Sequence, residues 1–348
     1  MNDRNSGQNA VILAEVSPYI ADNHIFLMKR EIPPNFWVIR LVAVSLALLA
    51  GVTAGCVSAA QVSTATPNVP VPRTAVLVLG DIDADDPGKK IKRFQPLADF
   101  LAAAMERQGI REGRVVIARD ISDMGRMMLE GEVDVYFDSA YPTLAVRDIS
   151  GSQIILRRWK EGVPEYWSIF VARRDSGLST VSDLKGKILA VEEPYSTSGF
   201  LLPVGTLLQR GLDLKVVASF DSSVEAGQIG YFFTGDEENT VEMILQGRVA
   251  AGALSNEDFD DLPPELTDIL IAFDRTSTVP RQLVSVRPGL AEERVKQVRE
   301  LLTGLDQTED GRQLLAGLKK TSKFDAVSAE AATSLSDLDH MIGQVLKD

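Results

Sequence analysis

Short apolar runs alternate with segments of helical periodicity along the chain from about residue 75 onward. Residues 75–79 form an apolar run that ends at a glycine, which is typical of a buried strand. Phe94, Leu97 and Leu101 then recur at helical spacing. Further strands are predicted at 114–118 and 134–137, with a helix at 121–129 between them and a loop at 138–142 after them. This β-α-β-α-β alternation predicts an α/β fold with a parallel sheet.

The same alternation restarts after residue 166 and predicts a second α/β unit. Strands or apolar runs are predicted at 167–172, 187–191, 215–218, 249–254, 269–273 and 282–286, and helical segments at 181–184, 240–246, 292–305, 309–318 and 335–346. Two such lobes in one chain indicate a cleft between them, because ligands of open α/β sheets bind at loops that follow the strands.

The first 56 residues are predicted to be a targeting segment. Residues 41–55 are uncharged and mostly apolar, and Lys29, Arg30 and Arg40 precede them, as in a secretory signal that is too short for a transmembrane helix. The segment 53–56 resembles a lipobox, so Cys56 is predicted to carry a lipid that anchors the exported protein to a membrane; the alternative is an incidental cysteine. Residues 1–27 are interpreted as an upstream extension, 28–56 as the signal, and the proline-rich stretch 57–73 as a flexible linker.

The composition excludes several functional classes. A chain of 348 residues with a net charge of −13 is long enough for two domains and too acidic to favour nucleic acid. A small anionic ligand stays possible, because local donors in a pocket can oppose the overall charge. With one cysteine, no disulfide and no thiol metal cluster can form within the chain.

The sequence offers little for catalysis. It contains two histidines, His24 and His340, neither near the segments that follow the strands, and no nucleophile–base set, phosphate-binding loop or metal-spaced cluster is visible. The acidic run that includes Asp81 and Asp86 lacks the ligand spacing of a calcium loop and is predicted to be a solvated turn. The protein is therefore predicted not to be an enzyme and to use no metal or cofactor.

The sequence Ser-Thr-Ser-Gly at 196–199 lies between the strand 187–191 and a helix. A helix start has N–H groups without partners and partial positive charge, so hydroxyls there either cap the helix or help hold an oxyanion. Pro203 follows closely, so the helix either kinks there or begins near Leu201.

Several motifs occur along the chain in one order, at 94–101 (FQPLADFL), 131–135 (GEVDV), 166–171 (YWSIFV), 183–187 (DLKGK), 196–199 (STSG) and 247–253 (GRVAAGA). Together they resemble the phosphate, phosphite and phosphonate solute-binding proteins of ABC transporters, the PhnD-like family. The resemblance implies a type II periplasmic-binding-protein fold with hinge crossings near 166–171 and 273–284. Lobe 1 is then expected to contain 74–168 and 275–348, and lobe 2 to contain 169–274.

The implied function is capture of a small oxyanion of the phosphonate, phosphite or phosphate class, outside the cytoplasm, for an ABC permease, by hinge closure. The alternative is a ligand-sensing accessory protein that presents its loaded form to a membrane histidine kinase or chemoreceptor. Ligand-driven closure would serve both functions, because it shifts the population of two hinged states.

The resemblance also implies a set of ligand-binding residues: Ser139, Tyr141, Tyr166, Ser196, Thr197, Ser198, Glu237 and Gln282. Each tyrosine could instead be a packing residue, and Glu237, which replaces a histidine common in the family, could be a solvated loop acid. Ala250 replaces an expected aspartate, and Arg281 stands where an acidic residue is common. These departures disfavour an amino group on the ligand.

Overall fold

The computed structural model describes residues 72–83 and 86–346. The predicted signal segment, the lipidation of Cys56 and most of the predicted linker lie outside these residues. The strands, in chain order, are β1 (Val76–Ile82), β2 (Glu112–Ala118), β3 (Val135–Asp138), β4 (Gln153–Arg158), β5 (Glu165–Tyr166), β6 (Ser168–Arg173), β7 (Ile188–Val191), β8 (Asp213–Val216), β9 (Gln228–Phe233), β10 (Ala251–Ser255), β11 (Leu270–Arg275), β12 (Val279–Pro280), β13 (Gln282–Val286) and β14 (Phe324–Asp325).

The α-helices of the described residues are α1 (Pro87–Ala104), α2 (Ile121–Leu129), α3 (Ala140–Ser150), α4 (Leu202–Gln209), α5 (Glu237–Leu245), α6 (Asn256–Asp260), α7 (Pro264–Thr267), α8 (Glu292–Gly304), α9 (Glu309–Gly317) and α10 (Ala329–Val345). The predicted loop at 138–142 is wrong, because α3 begins at Ala140 with Ser139 as its N-cap residue. Pro142 is tolerated there, since the first turn of a helix has N–H groups without acceptors in any case.

The first sheet has the strand order β14-β4-β13-β3-β1-β2. Its β1, β2 and β3 are parallel, as predicted, but β13 runs antiparallel to both β3 and β4. The sheet as a whole is therefore mixed. The physical reason is that the chain leaves this sheet after β4 and returns to it as β13 from the opposite direction.

The second sheet has the order β11-β6-β10-β7-β9-β8 and is also mixed, since β6 runs antiparallel to β10 and β11. The chain passes between the two sheets twice, and the short strands β5 and β12 pair antiparallel with Val279 opposite Tyr166. The second crossing, 276–281, lies within the predicted region 273–284, whereas the first, 159–167, overlaps the predicted region 166–171 only at Tyr166 and Trp167. The exact lobe boundaries stay a prediction.

One hydrophobic cluster extends across both lobes. It joins Leu144 of α3, Leu202 of α4 and Leu338 of α10, so the two lobes share buried apolar contacts. Separate clusters cover the outer faces of each sheet. Among residues 72–83 and 86–346, no helix combines the length and apolar character that crossing a bilayer would require.

Candidate functional site

Ser196 caps the turn that follows β7. Its Oγ accepts a hydrogen bond from the N–H of Gly199 at 2.9 Å and donates to Oε2 of Glu192 at 2.8 Å. A wide π-helical turn spans Thr197–Leu201, and regular α-helix begins at Leu202. The helix thus begins near Leu201, one of the two predicted alternatives, because Pro203 then occupies the first turn, where no N–H is needed.

Thr197 joins the two lobes. Its Oγ1 accepts a hydrogen bond from the N–H of Tyr141 at 2.9 Å, and its hydroxyl donates to Oγ of Ser139 at 2.9 Å. Thr197 and Ser198 are both buried. The start of α3 in the first lobe therefore meets the start of the Thr197–Leu201 turn in the second lobe. Both helix starts direct partial positive charge toward this contact.

Tyr166 lies at the crossing between the sheets and is also buried. Burial raises the pKa of its phenol, while the nearby charge of Arg281 and the side chains of Thr197 and Ser198 lower it. The hydroxyl of Ser168 donates to the carbonyl oxygen of Ser198 at 2.7 Å, which fixes the segment against β6. The structure therefore brings together five of the sequence-predicted residues: Ser139, Tyr141, Tyr166, Thr197 and Ser198.

Tyr141 occupies the first turn of α3 and is almost fully buried. Burial raises the pKa of its phenol to about 12, so this group is neutral at physiological pH. Its backbone N–H rather than its ring makes the contact across the lobes. A neutral phenol beside the hydroxyl segment adds no negative charge that would repel an anion.

Of the three remaining predicted residues, Ser196 caps the turn, whereas the contacts of Glu237 and Gln282 are with other groups. Glu237 is exposed at the start of α5, and its charge helps to raise the pKa of the nearby Glu192. Gln282 is half-buried in β13, where its Oε1 accepts a hydrogen bond from Nη1 of Arg158 at 2.6 Å. Gln282 thus belongs to a hydrogen-bond network within the first sheet.

Glu192 is a site residue that the sequence interpretation missed. Burial raises the pKa of its carboxyl to about 8, and the charge of Asp258 adds to this, while the hydrogen bond from Ser196 lowers it. Its Oε1 is buried and finds no hydrogen-bond partner among the described residues. Near neutral pH the carboxyl is therefore largely protonated. An acidic residue at the end of a strand, directly before the hydroxyl segment, was the available sequence signal.

Three basic side chains lie close to one another near the crossing that carries Tyr166, and two of them, Arg158 and Lys160, were missed. The guanidinium of Arg281 stacks over the ring of Tyr166, 4.4 Å from its centroid. Arg158 is buried, and burial lowers its pKa to about 10. Lys160 has a pKa lowered to about 8, mainly by burial and then by the charge of Arg281. The basic run at the end of β4 was the sequence signal for these groups.

The acidic run that includes Asp81 was predicted to be a solvated turn, and for Asp81 this prediction is wrong. Asp81 is buried at the end of β1 and pairs with Nζ of Lys90 at 2.8 Å; burial raises the pKa of its carboxyl to about 6. Asp138 at the end of β3 accepts hydrogen bonds from the phenol of Tyr136 at 2.6 Å and from the N–H of Ser139 at 2.7 Å. The bond from its N–H helps to hold Ser139 beside Thr197.

Known proteins resemble this chain over most of its described length. Residues 82–332 match the family described as "ABC transporter, phosphonate, periplasmic substrate-binding protein". The "Phosphate-import protein PhnD" of Mycolicibacterium smegmatis is 26% identical over 181 residues, which is 51% of this chain and 54% of that protein. The chain thus spans about half the length of this curated relative.

Solved structures share the fold. The protein XAC2383 from Xanthomonas citri, solved bound to a chloride ion, is 29% identical with a TM-score of 0.75, over 79% of this chain and 99% of that chain. The same protein bound to ATP gives 28% identity and a TM-score of 0.74, over 79% and 98% of the two chains. PhnD1 from Prochlorococcus marinus, in complex with methylphosphonate, is 18% identical with a TM-score of 0.57, over 78% and 99% of the chains, and supports the fold alone.

Proposed function

Because the chain belongs to the family of periplasmic substrate-binding proteins of phosphonate ABC transporters, we propose that it captures a small oxyanion between its lobes and delivers it to a permease. The predicted family, the type II periplasmic-binding-protein fold and the non-enzymatic class are confirmed by the family match and the structural neighbours. Membership implies export to the periplasm. The ligand, its binding residues and the hinge closure are the parts that we propose here.

The contact between Thr197 and the start of α3 is the observation that carries this proposal. Hydroxyl hydrogens can rotate, so that of Thr197 can turn from Ser139, and that of Ser139 from Asp138, toward a solute oxygen. Oγ1 of Thr197 then still accepts the N–H of Tyr141 and keeps the lobes together. Ser198 and the N–H groups at the start of the Thr197–Leu201 turn add further donors from the second lobe.

The electrostatics of the cleft also favour an anion, despite the acidic composition of the whole chain. Arg281 stacks on Tyr166, whose phenol lies near Thr197 and Ser198, and charge-assisted hydrogen bonds are the stronger ones in proteins. Protonation of Glu192 near neutral pH removes a charge that would oppose an anionic solute. This arrangement suits a compact phosphonate, phosphite or phosphate group that accepts hydrogen bonds on several sides.

Closure would bring the donors of the two lobes together around the solute. The paired strands β5 and β12 are short, and they are the places where the chain crosses between the sheets, so rotation there would separate Thr197 from Tyr141. A solute that contacts both lobes binds the closed state better and shifts the population toward it.

The function is tested by isothermal titration calorimetry of the full chain with inorganic phosphate, phosphite, methylphosphonate and 2-aminoethylphosphonate, with acetate as the control anion. We expect at least one of the first three compounds to bind, and 2-aminoethylphosphonate to bind less well than methylphosphonate, because Ala250 and Arg281 stand where the family commonly has acidic residues that would pair with its ammonium group. If none of the phosphorus oxyanions binds more tightly than acetate, the proposed ligand class is wrong.

A further inference from the structure

We propose that Arg281 is the positioning residue that holds the two lobes closed in the absence of solute. It does so as an ion-pair bridge between Glu161 of the first lobe and Glu257 of the second, and it also fixes Tyr166 against the hydroxyl segment. The closed bridge itself does not depend on the solute; only its effect on affinity rests on the proposed function.

Arg281 follows β12 at the second crossing and is only 6% exposed. Its Nη2 donates to Oε2 of Glu161 at 3.2 Å, and its Nε forms an ion pair with Glu257. Glu161 lies in the turn between β4 and β5, whereas Glu257 lies in α6, directly after β10 of the second sheet. The single guanidinium therefore lies between one carboxylate from each lobe.

The second of these ion pairs is the one that opening would break. The backbone N–H of Arg281 donates to the carbonyl oxygen of Pro164 at 2.9 Å, so Arg281 stays with the chain segment that carries Glu161. Glu257 moves with the second lobe. Both carboxylate oxygens of Glu257, and Nε of Arg281, are buried without a hydrogen bond of good geometry in the described residues. Removing Arg281 leaves the buried carboxylate of Glu257 without this counter-ion, which is costlier than losing an exposed ion pair.

The same guanidinium also positions Tyr166. The guanidinium lies 4.4 Å from the centroid of the Tyr166 ring, in a cation–π arrangement, and the Tyr166 side chain is almost fully buried. The phenol group of Tyr166 is close enough to Thr197 and Ser198 for these side chains to lower its pKa. The bridge thereby links the ion pair across the lobes to the placement of the candidate ligand-binding segment.

The test measures the distance between the lobes by double electron–electron resonance. The full chain carries Cys56→Ser, with nitroxide labels on cysteines introduced at Lys92 in α1 and Glu242 in α5, both of which are exposed. Without solute, we expect the chain with Arg281 to give mainly one short distance, and Arg281→Gln to give mainly longer distances. Arg281→Lys keeps the charge and should stay mostly closed.

Arg157→Gln is the matched control. Arg157 is also buried and pairs with two carboxylates, Asp325 at 2.9 Å and Glu165 at 3.1 Å, but all three residues lie on the first-lobe side of the crossing. Its distance distribution should match that of the parent. Glu257→Gln breaks only the ion pair across the lobes and serves as the second variant if Arg281→Gln does not fold.

Unchanged distances in folded Arg281→Gln or Glu257→Gln would overturn the bridge, as would equal opening in Arg281→Lys and Arg281→Gln or in the Arg157→Gln control. Arg281→Gln should also weaken binding of methylphosphonate at least about tenfold. If the parent binds none of the phosphorus oxyanions, the distance measurement without solute still decides the bridge, so failure of the proposed function and failure of this inference are distinguishable.

Discussion

Replacing Thr197 with valine should weaken solute binding by about 100-fold or more. Valine keeps the shape of threonine but removes Oγ1, which accepts the N–H of Tyr141 in the closed structure. A buried N–H left without an acceptor costs about 1–3 kcal/mol, and loss of a hydrogen bond to a charged solute costs about 1.5–3 kcal/mol. Together these two costs reduce the free energy of binding by about 3 kcal/mol or more, which corresponds to about a 100-fold weaker affinity.

The assay is calorimetry with whichever of phosphate, phosphite and methylphosphonate binds most tightly. Thr143→Val is the matched control, because Thr143 is equally buried but its hydroxyl donates to the carbonyl oxygen of Ser139 within one lobe, at 2.8 Å. We expect this control to change affinity less than about threefold, and Thr197→Ser to restore most of the binding. Affinity of Thr197→Val close to that of the parent, or an equal loss in both valine variants, would refute the reasoning.

Two further predictions concern Glu192. The ordinary pKa of a glutamate is 4.5, and burial raises that of Glu192 to about 8. As pH rises, the unfolded chain therefore releases this proton at a lower pH than the folded chain does. The free energy of unfolding falls as pH rises between these two values. Glu192→Gln should remove this loss, which is up to about 4 kcal/mol. Urea unfolding of the parent and the variant at pH 5 and pH 8 measures the free energy of unfolding. An equal change with pH in both proteins would contradict the prediction. In Gly199→Ala, the added Cβ would lie 2.1 Å from Cδ of Glu192 and should lower stability by about 1–3 kcal/mol. Thermal unfolding should show partial recovery in the double variant with Glu192→Ala, and no recovery would exclude this clash as the cause.

The alternative role in sensing stays a prediction alongside transport. The bridge and the hydroxyl contact serve either role, because both act on the equilibrium between open and closed lobes. The partner that receives the closed form distinguishes the two functions. Binding of the loaded protein to a purified permease, compared with binding to a sensor kinase ectodomain, is the direct measurement.

The sequence predicted those helices and strands whose start, end and apolar spacing depend on residues close together in the chain. The helix at 121–129 has the predicted bounds, because Asp120 caps it and its apolar residues recur at helical spacing. Local rules for proline reduced the start of α4 to two alternatives, and the start near Leu201 is the one that the structure has. The strand directions of β4 and β13 did not, since they depend on where the chain returns after building the second lobe.

The candidate site shows the same division. Hydroxyls placed before a helix, together with the family motifs, were enough to select Thr197 and Ser198, and the tertiary structure places Thr197 against Ser139 and Tyr141 of the other lobe. The protonated state of Glu192 had no sequence signal strong enough to predict it. A pKa is set by burial and by charges from distant parts of the chain, which only the packed structure brings close.

By itself, the sequence determined the α/β alternation, the family and the hydroxyl segment at a helix start, because each depends on residue order over short spans. The tertiary structure decided that this segment meets α3 across the lobes, and that Arg281 lies between Glu161 and Glu257. Residues 161, 257 and 281 are far apart along the chain, and only the two crossings between the sheets bring their charges into one buried cluster.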